Sequence, residues 1–404
     1  MLYLAYQTHA DFMVPVRSMA RAGLGAFAPW AALEDLKALR NLTAAYELIS
    51  RAGLTHERPE YGIDKVRVGK ADVAVREEAV SATPFGTLLH FKKEVATAQP
   101  RILVVAPLSG HFATLLRSLV RTLLSEHDVC ITDWHNARDA SVADGRFGFD
   151  DYVEHLIRWI EVSGPGTHVV AVCQPCVQVL AAAAMMAEAG SPAQPRSMTL
   201  MAGPIDTRIN PTKVNELATS RSGDWFERNL IAEVPARYRG AGRRVYPGFV
   251  QLAAFISMNL DRHQKAHMEL YRHLANGNLE KAQPTIAFYD EYLAVLDLSA
   301  EFYLETVAWV FQEARLARGR LTFRGAQVKP EAIRRTALLT VEGERDDVCA
   351  LGQTAAAHDL CRGLRPYMKR HHLQAGVGHY GVFSGKRWEE HVYPHVRNMV
   401  LASD

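Results

Sequence analysis

The sequence predicts an α/β protein with a mostly parallel central sheet, interrupted once by a helical insertion. Three observations lead there. Arg101–Pro107 and His168–Val172 are short apolar runs of the kind that form strands buried on both faces. Helix-length segments alternate with such runs, which implies right-handed crossovers between parallel strands. The alternation stops between Asp206 and Ile333, a stretch of helical patterns and aromatics, and resumes at Thr336.

Composition narrows the classes of function. Lys and Arg (46) nearly balance Asp and Glu (44), so no strong global field points to nucleic acid or to an anionic membrane. The five cysteines, Cys130, Cys173, Cys176, Cys349 and Cys361, are odd in number and scattered, which fits no disulfide framework and suggests a reducing compartment. The first residues lack the basic and apolar segments of a secretory signal, and no apolar run reaches transmembrane length. A cytoplasmic location is expected, with no membrane span and no nucleic-acid partner. Oligomeric state is not legible.

Taken in order, the chain opens with a helical pattern from Asp11 to about Ala52, in which Leu33, Leu36, Leu39, Leu42, Tyr46 and Leu48 recur at three- and four-residue steps. Between Lys65 and Lys93, alternation at Val66, Val68, Val73, Val75, Leu88, Leu89 and Phe91 predicts antiparallel edge strands. Arg101–Pro107 starts the parallel sheet. A helix follows over 112–126, then a strand over Asp128–Trp134, a helix over 149–162 and the strand His168–Val172. A four-residue turn with two thiols leads into an Ala-rich helix, and Ser197–Pro204 is the next strand.

The insertion carries Trp225, Phe226, Tyr246, Phe255, Tyr289, Tyr292 and Phe302 among its aromatics, expected to fill its own core and in part to line an apolar groove. A strand at Thr336–Val341, a helix over 354–362, a strand over 367–373 and a helix over 386–401 complete the chain. The expected division is 1–98 (N-terminal helices and edge strands, part of or packed on the core), 99–205 with 334–404 (core), and 206–333 (helical cap).

Three polar signals fall at the C-terminal ends of predicted strands: the Cys-Gln-Pro-Cys turn, the acidic loop Glu342–Asp347 and His379 in the loop 376–385. In an open parallel sheet those ends share one crevice. Nucleophile, acid and histidine in that chain order match the α/β-hydrolase fold, here with a helical cap insertion. Cys176 is the candidate nucleophile: its thiolate would attack a carbonyl, His379 would shuttle the proton, and Asp346 would fix the imidazole tautomer. Asp346 is preferred to Glu342, Glu344 and Asp347 because the turn after Gly343 points it inward.

Cys176 stands at the strand-to-helix bend with Val177 after it; Val177, Ser109 and Gly110 are the expected oxyanion donors. Cys173 competes. The tight approach of strand and helix at such a bend favours small residues two positions either side of the nucleophile. Cys176 has Gln174 and Gln178 there, whereas Cys173 has Ala171 and Pro175. A redox or zinc role for the Cys-x-x-Cys pair lacks a second ligand pair at metal spacing.

The chain resembles the intracellular polyhydroxybutyrate depolymerases, relatives of the polyhydroxyalkanoate synthases. The likeness is carried by Met-Leu-Tyr-Leu-Ala-Tyr-Gln7, Ala-Pro-Leu-Ser-Gly-His111, Thr-Asp-Trp-His-Asn-Ala-Arg138, Val-Cys-Gln-Pro-Cys-Val177, Val-Glu-Gly-Glu-Arg-Asp-Asp347 and Gly-Val-Gly-His-Tyr-Gly-Val-Phe-Ser-Gly385. It implies a cysteine nucleophile at Cys176, with Asp346 and His379 completing a triad. It also implies hydrolysis of poly(3-hydroxybutyrate) esters at the surface of storage granules, giving 3-hydroxybutyrate or its oligomers. No cofactor is expected. Coenzyme A is the alternative acyl acceptor, although no phosphate-cradling loop is visible. A synthase or acyltransferase and a non-catalytic granule-binding protein are the competing readings.

Overall fold

The computed structural model describes residues 2–31, 37–95 and 97–404. Its core is a nine-stranded sheet: β1 (Lys65–Val68), β2 (Ala71–Thr83), β3 (Gly86–Lys93), β4 (Arg101–Val105), β5 (Asp128–Trp134), β6 (His168–Val172), β7 (Ser197–Met201), β8 (Ala337–Gly343) and β9 (Lys369–Gln374). The spatial order is β1-β2-β3-β5-β4-β6-β7-β8-β9. Strands β4 to β9 pair in parallel, and β1 to β3 add an antiparallel edge.

This is the α/β-hydrolase fold. Its central strands are apolar because helices cover both faces: all residues of β6 and β7 are buried. The chain runs outward from β4 to β5 and then returns past β4 to β6, so the strand order reverses between β4 and β6. The loops leaving those two strands therefore splay apart and open a crevice at their C-terminal ends.

Between β6 and β7, helix α5 (Cys176–Glu188) is buried along nearly its whole length, which its Ala-rich sequence permits through close packing. Helix α4 (Phe149–Ser163) lies beside it, and α3 (Arg117–Leu123) connects β4 to β5. Between β7 and β8 the chain forms the cap: helices Lys213–Thr219, Gly223–Leu230, Gly248–Met258, Leu260–Ala275, Leu279–Tyr292 and Ala300–Thr306, with a small sheet. Some of the cap's aromatics are buried, two of them, Tyr246 and Phe302, in the main core. Phe226, Tyr246, Tyr289, Tyr292 and Phe302 are all buried.

The N-terminal segment is a helical hairpin, α1 (Leu2–Ala31) and α2 (Lys37–Arg51), so the helical pattern starts earlier than the sequence suggests. Leu33 and Leu36 lie outside the described residues. Strand β2 extends to Thr83, well past Val75, because its polar outer residues at the sheet edge hide the alternation. The segment 354–362, expected as one helix, is helical only over Ala357–Leu360, with turns on either side. Among the described residues, no helix is long and apolar enough to cross a membrane. Helix α1 nonetheless exposes large apolar side chains: Phe12 is 73% exposed, Met19 74% and Trp30 62%.

One buried carboxyl ties hairpin, cap and core together. Asp297 accepts from Tyr3 Oη at 2.8 Å and from the Gly248 N–H at 2.9 Å, while its own N–H donates to Asn136 Oδ1 at 3.0 Å. Burial pushes its pKa up from 3.8 to about 6, against the opposing pull of those hydrogen bonds. A raised folded-state pKa means that the stability from this group is full below the unfolded value and is lost as pH rises through about 6. Asp297→Asn is expected to flatten the fall in unfolding free energy between about pH 4 and 7, by about 3 kcal/mol in total. Denaturant titrations across that range measure it, and an unchanged slope contradicts the assignment.

Candidate active site

The site is built around the junction of β6 and α5. There the chain must turn sharply from strand to helix, and Cys173 takes a left-handed backbone with φ of 67°. That conformation costs a non-glycine residue about 1–2 kcal/mol, so the surroundings must hold it. They do so through the Cys173 N–H, which donates to Met201 O at the end of β7 (2.7 Å), and the Cys173 carbonyl, which accepts from Cys176 N–H (3.2 Å). Pro175, with φ of −71°, is preset for the start of the helix.

The consequence for the two thiols differs from the sequence expectation. Cys173 is half-buried and lines a cavity of about 480 Å³ together with His379. Cys176 is 0% exposed, and its sulfur points inward to the carbonyls of Ala171 and Met201, at 3.6 and 3.7 Å. Burial pushes its pKa well above the ordinary thiol value. A Cβ on Gly203, just beyond β7, would overlap both the Cβ and the Sγ of Cys176. Cys176 is thus a packing group under the turn. The structure brings Cys173, and not Cys176, to His379.

The same geometry accounts for the flanking residues. The small neighbours needed at the bend are Ala171 and Pro175, on either side of Cys173. Gln174 turns its side-chain oxygen toward the Leu108 N–H (3.4 Å), and Gln178 is buried along α5.

His379 begins a short 3-10 turn after β9. Its Nδ1 is 2.8 Å from Asp346 Oδ2, while Asp346 Oδ1 accepts from the N–H groups of Val348 and Cys349. Asp346 is held on both oxygens and cannot swing away. Cys173 lines the same cavity as His379, close enough for its sulfur to act on the imidazole electrostatically. Burial disfavours the imidazolium, but the Asp346 carboxylate and the Cys173 sulfur outweigh it and hold the His379 pKa well above the usual value.

The neighbouring acids have other work. Glu342 is buried and accepts from the N–H groups of Gly352, Thr354 and Ala355, fixing the turn after the acid loop. Glu344 accepts from Gly376 N–H, and Asp347 from Asn259 Nδ2.

The expected oxyanion donors are distributed differently. Val177 is buried in the first turn of α5, one turn away from the cavity. With Cys173 at the bend, the following N–H is that of Gln174, which has no hydrogen-bond partner among the described residues. Ser109 lines the cavity. Gly110 is directed at the cap instead: its carbonyl accepts from Leu296 N–H and its Cα faces Gln251. His111, on the same loop, was not assigned a role from sequence. It stacks between Tyr292 and Phe255, and burial lowers its pKa to about 4, so it is a neutral wall of the cavity.

Phe255, Met258 and Tyr292 of the cap complete the apolar lining. A larger groove of about 840 Å³, around Arg196, Arg334 and Arg365, lies at the opposite, N-terminal edge of the strands and contains none of these groups. Among the described residues, no three His, Cys, Asp or Glu side chains gather to hold a metal.

The family model described as the PHB de-polymerase C-terminus matches residues 202–404, just over half of the chain. The chain belongs to the PHB depolymerase family. The matched region includes Gly203, the cap, Asp346 and His379, and begins after the Cys173 turn. Family and fold together make the chain a hydrolase.

Comparison with curated proteins finds no match. Among solved structures, the chain is similar to the α/β hydrolase GrgF from Penicillium sp. sh18, at 14% identity over 82% of this chain and 98% of that one, with a TM-score of 0.45. It is also similar to a Paleococcus ferrophilus monoacylglycerol lipase, at 11% identity over 76% and 97% of the two chains, with a TM-score of 0.42. At such values the fold rests on the strand order itself.

Gly203→Ala is expected to destabilise the protein by about 3 kcal/mol or more, because the new methyl has to displace Cys176 beneath the turn. Urea unfolding measures this. A loss below about 1 kcal/mol contradicts the tight packing described.

Proposed function

We propose that the chain hydrolyses ester bonds of poly(3-hydroxybutyrate) through Cys173, His379 and Asp346. The observation that carries this reading is His379, bonded through Nδ1 to Asp346 and facing the Cys173 thiol from a strained strand-to-helix turn. Family membership supports the polymer as substrate.

In the first half-reaction, His379 takes the Cys173 proton as the sulfur attacks the ester carbonyl. The negative charge that develops on oxygen is met by the Gln174 N–H at the start of α5 and by an N–H of the Leu108–Ser109 turn. Leu108 N–H makes only a long bond to the Gln174 side chain, which a shift of that amide releases. Collapse of the intermediate breaks the C–O bond, and His379 protonates the departing alkoxide. Asp346 keeps the imidazole in the tautomer with its reactive nitrogen toward sulfur and stabilises the cation. Water, activated by the same histidine, then cleaves the thioester; coenzyme A is the alternative acceptor. Phe255, Tyr292 and Phe383 give the site an apolar wall against the substrate. Association with a polymer granule in the cytoplasm belongs to the same proposal, and the exposed apolar face of α1 suits an insoluble substrate.

Two substitutions test the assignment. Cys173→Ala is expected to lower the turnover of amorphous polymer by about 10⁴-fold or more. Cys176→Ala is expected to retain turnover, with a lower unfolding midpoint. Alkylation by iodoacetamide, located by peptide mass spectrometry, is expected at Cys173 and not at Cys176 in the native protein. The reverse pattern of activity and labelling would return the nucleophile to Cys176.

A further inference from the structure

The catalytic cavity carries a charge that ester hydrolysis does not use. Arg262, near the start of the cap helix Leu260–Ala275, and Arg345, next to Asp346 in the core loop after β8, both line the cavity that holds Cys173 and His379. They approach it from cap and core respectively. Many arginines of this chain are tied to carboxylates, such as Arg51, Arg58, Arg208 and Arg324. Neither Arg262 nor Arg345 has a side-chain hydrogen bond or ion pair among the described residues. The one acidic side chain in the lining, Asp347, is engaged by Asn259 at 3.2 Å. Both arginines are exposed to solvent, so they stand at the rim of an otherwise largely apolar pocket, with the exposed carboxylate of Asp347 beside them. An arginine fork matches a carboxylate in a bidentate manner, and an unpaired arginine pair beside a reactive thiol is a recognition element for an anion.

Resting on the polyester reading above, we propose that Arg262 and Arg345 bind the terminal carboxylate of a 3-hydroxybutyrate oligomer, so that the chain is shortened from its carboxyl end. In a 3-hydroxyacid ester the terminal carboxylate is only a few bonds from the last ester oxygen, so one ligand spans the arginines and the thiol. Cys173 sulfur bonds to the carbonyl carbon of the penultimate unit, the C–O bond to the terminal unit breaks, and the His379 proton passes to that alkoxide. The terminal unit leaves as 3-hydroxybutyrate, its carboxylate still held by the arginines. Water then adds to the thioester carbonyl and the C–S bond breaks. The proton returns to sulfur through His379, and the shortened chain is released with a new carboxylate that is again a substrate end.

The test compares the linear 3-hydroxybutyrate trimer as free acid and as methyl ester, using the full chain. The wild type is expected to favour the acid in kcat/KM by about tenfold or more, mainly through KM. The double variant R262Q/R345Q is expected to bring that ratio close to one, and Arg262→Lys to keep part of it. Trimer labelled in its terminal unit is expected to release labelled monomer first. Equal rates on acid and ester in the wild type, an unchanged ratio in the double variant, or release from the hydroxyl end first would overturn the proposal.

If neither ester turns over, the hydrolase reading of the site fails, and the subsite is still decided by calorimetric titration of Cys173→Ala with trimer acid. Loss of binding in the added R262Q/R345Q background supports the subsite; equal binding rejects it. Displacement of the trimer by inorganic pyrophosphate as effective as that by 3-hydroxybutyrate would reject a carboxylate as the intended anion.

Discussion

The left-handed backbone at Cys173 is the constraint on which the site depends. A parallel strand can pass into a helix this abruptly only if one residue accepts an unfavourable φ, and that residue then projects its side chain out of the sheet. The cost is met by neighbours: the Met201 carbonyl holds the Cys173 N–H, and Gly203 leaves room for Cys176 to fold underneath. The two thiols are separated in environment for this reason. One is lifted into the cavity and the other is sealed in the core.

The acid and the histidine arrive by a different route, on loops whose geometry is fixed by backbone donors. Asp346 is bracketed by the N–H groups of Val348 and Cys349 on one oxygen and by His379 on the other. Glu342 does similar work one layer below, gathering Gly352, Thr354 and Ala355. Both carboxylates are anchored by backbone N–H groups, and only Asp346 also reaches His379, although the two lie four residues apart. With the loop held, the Asp346 charge can act on His379 with little solvent screening, which keeps the imidazole basic despite its burial.

The cap and the N-terminal hairpin meet the core through polar contacts as well as apolar ones. Asp297 joins Tyr3, Gly248 and Asn136, so the start of α1, a cap helix and the loop after β5 share one buried group. The cap's aromatics are divided between buried clusters, such as Phe226 and Tyr289, and the cavity lining, which includes Phe255 and Tyr292. Helix α1 shows the opposite balance, with Phe12, Met19 and Trp30 left at the surface. The apolar surface that the sequence placed in the insertion is therefore divided between a lined pocket and an exposed helix face elsewhere.

The sequence by itself determined the sheet, the insertion and the pairing of Asp346 with His379. Apolar strand runs and their alternation with helices are local patterns, and the chain order of polar groups at strand ends follows from topology. The polar outer face of β2 concealed its length, since an edge strand need not alternate visibly. Between Cys173 and Cys176 the small residues Ala171 and Pro175 are a legible sign for Cys173, while the family likeness of the motif points to Cys176. The choice depends on which residue takes the left-handed turn, and that is set by a hydrogen bond to β7 and by the room left at Gly203, both distant in sequence. Only the tertiary structure decides it, because a backbone strain is placed where non-local contacts can hold it.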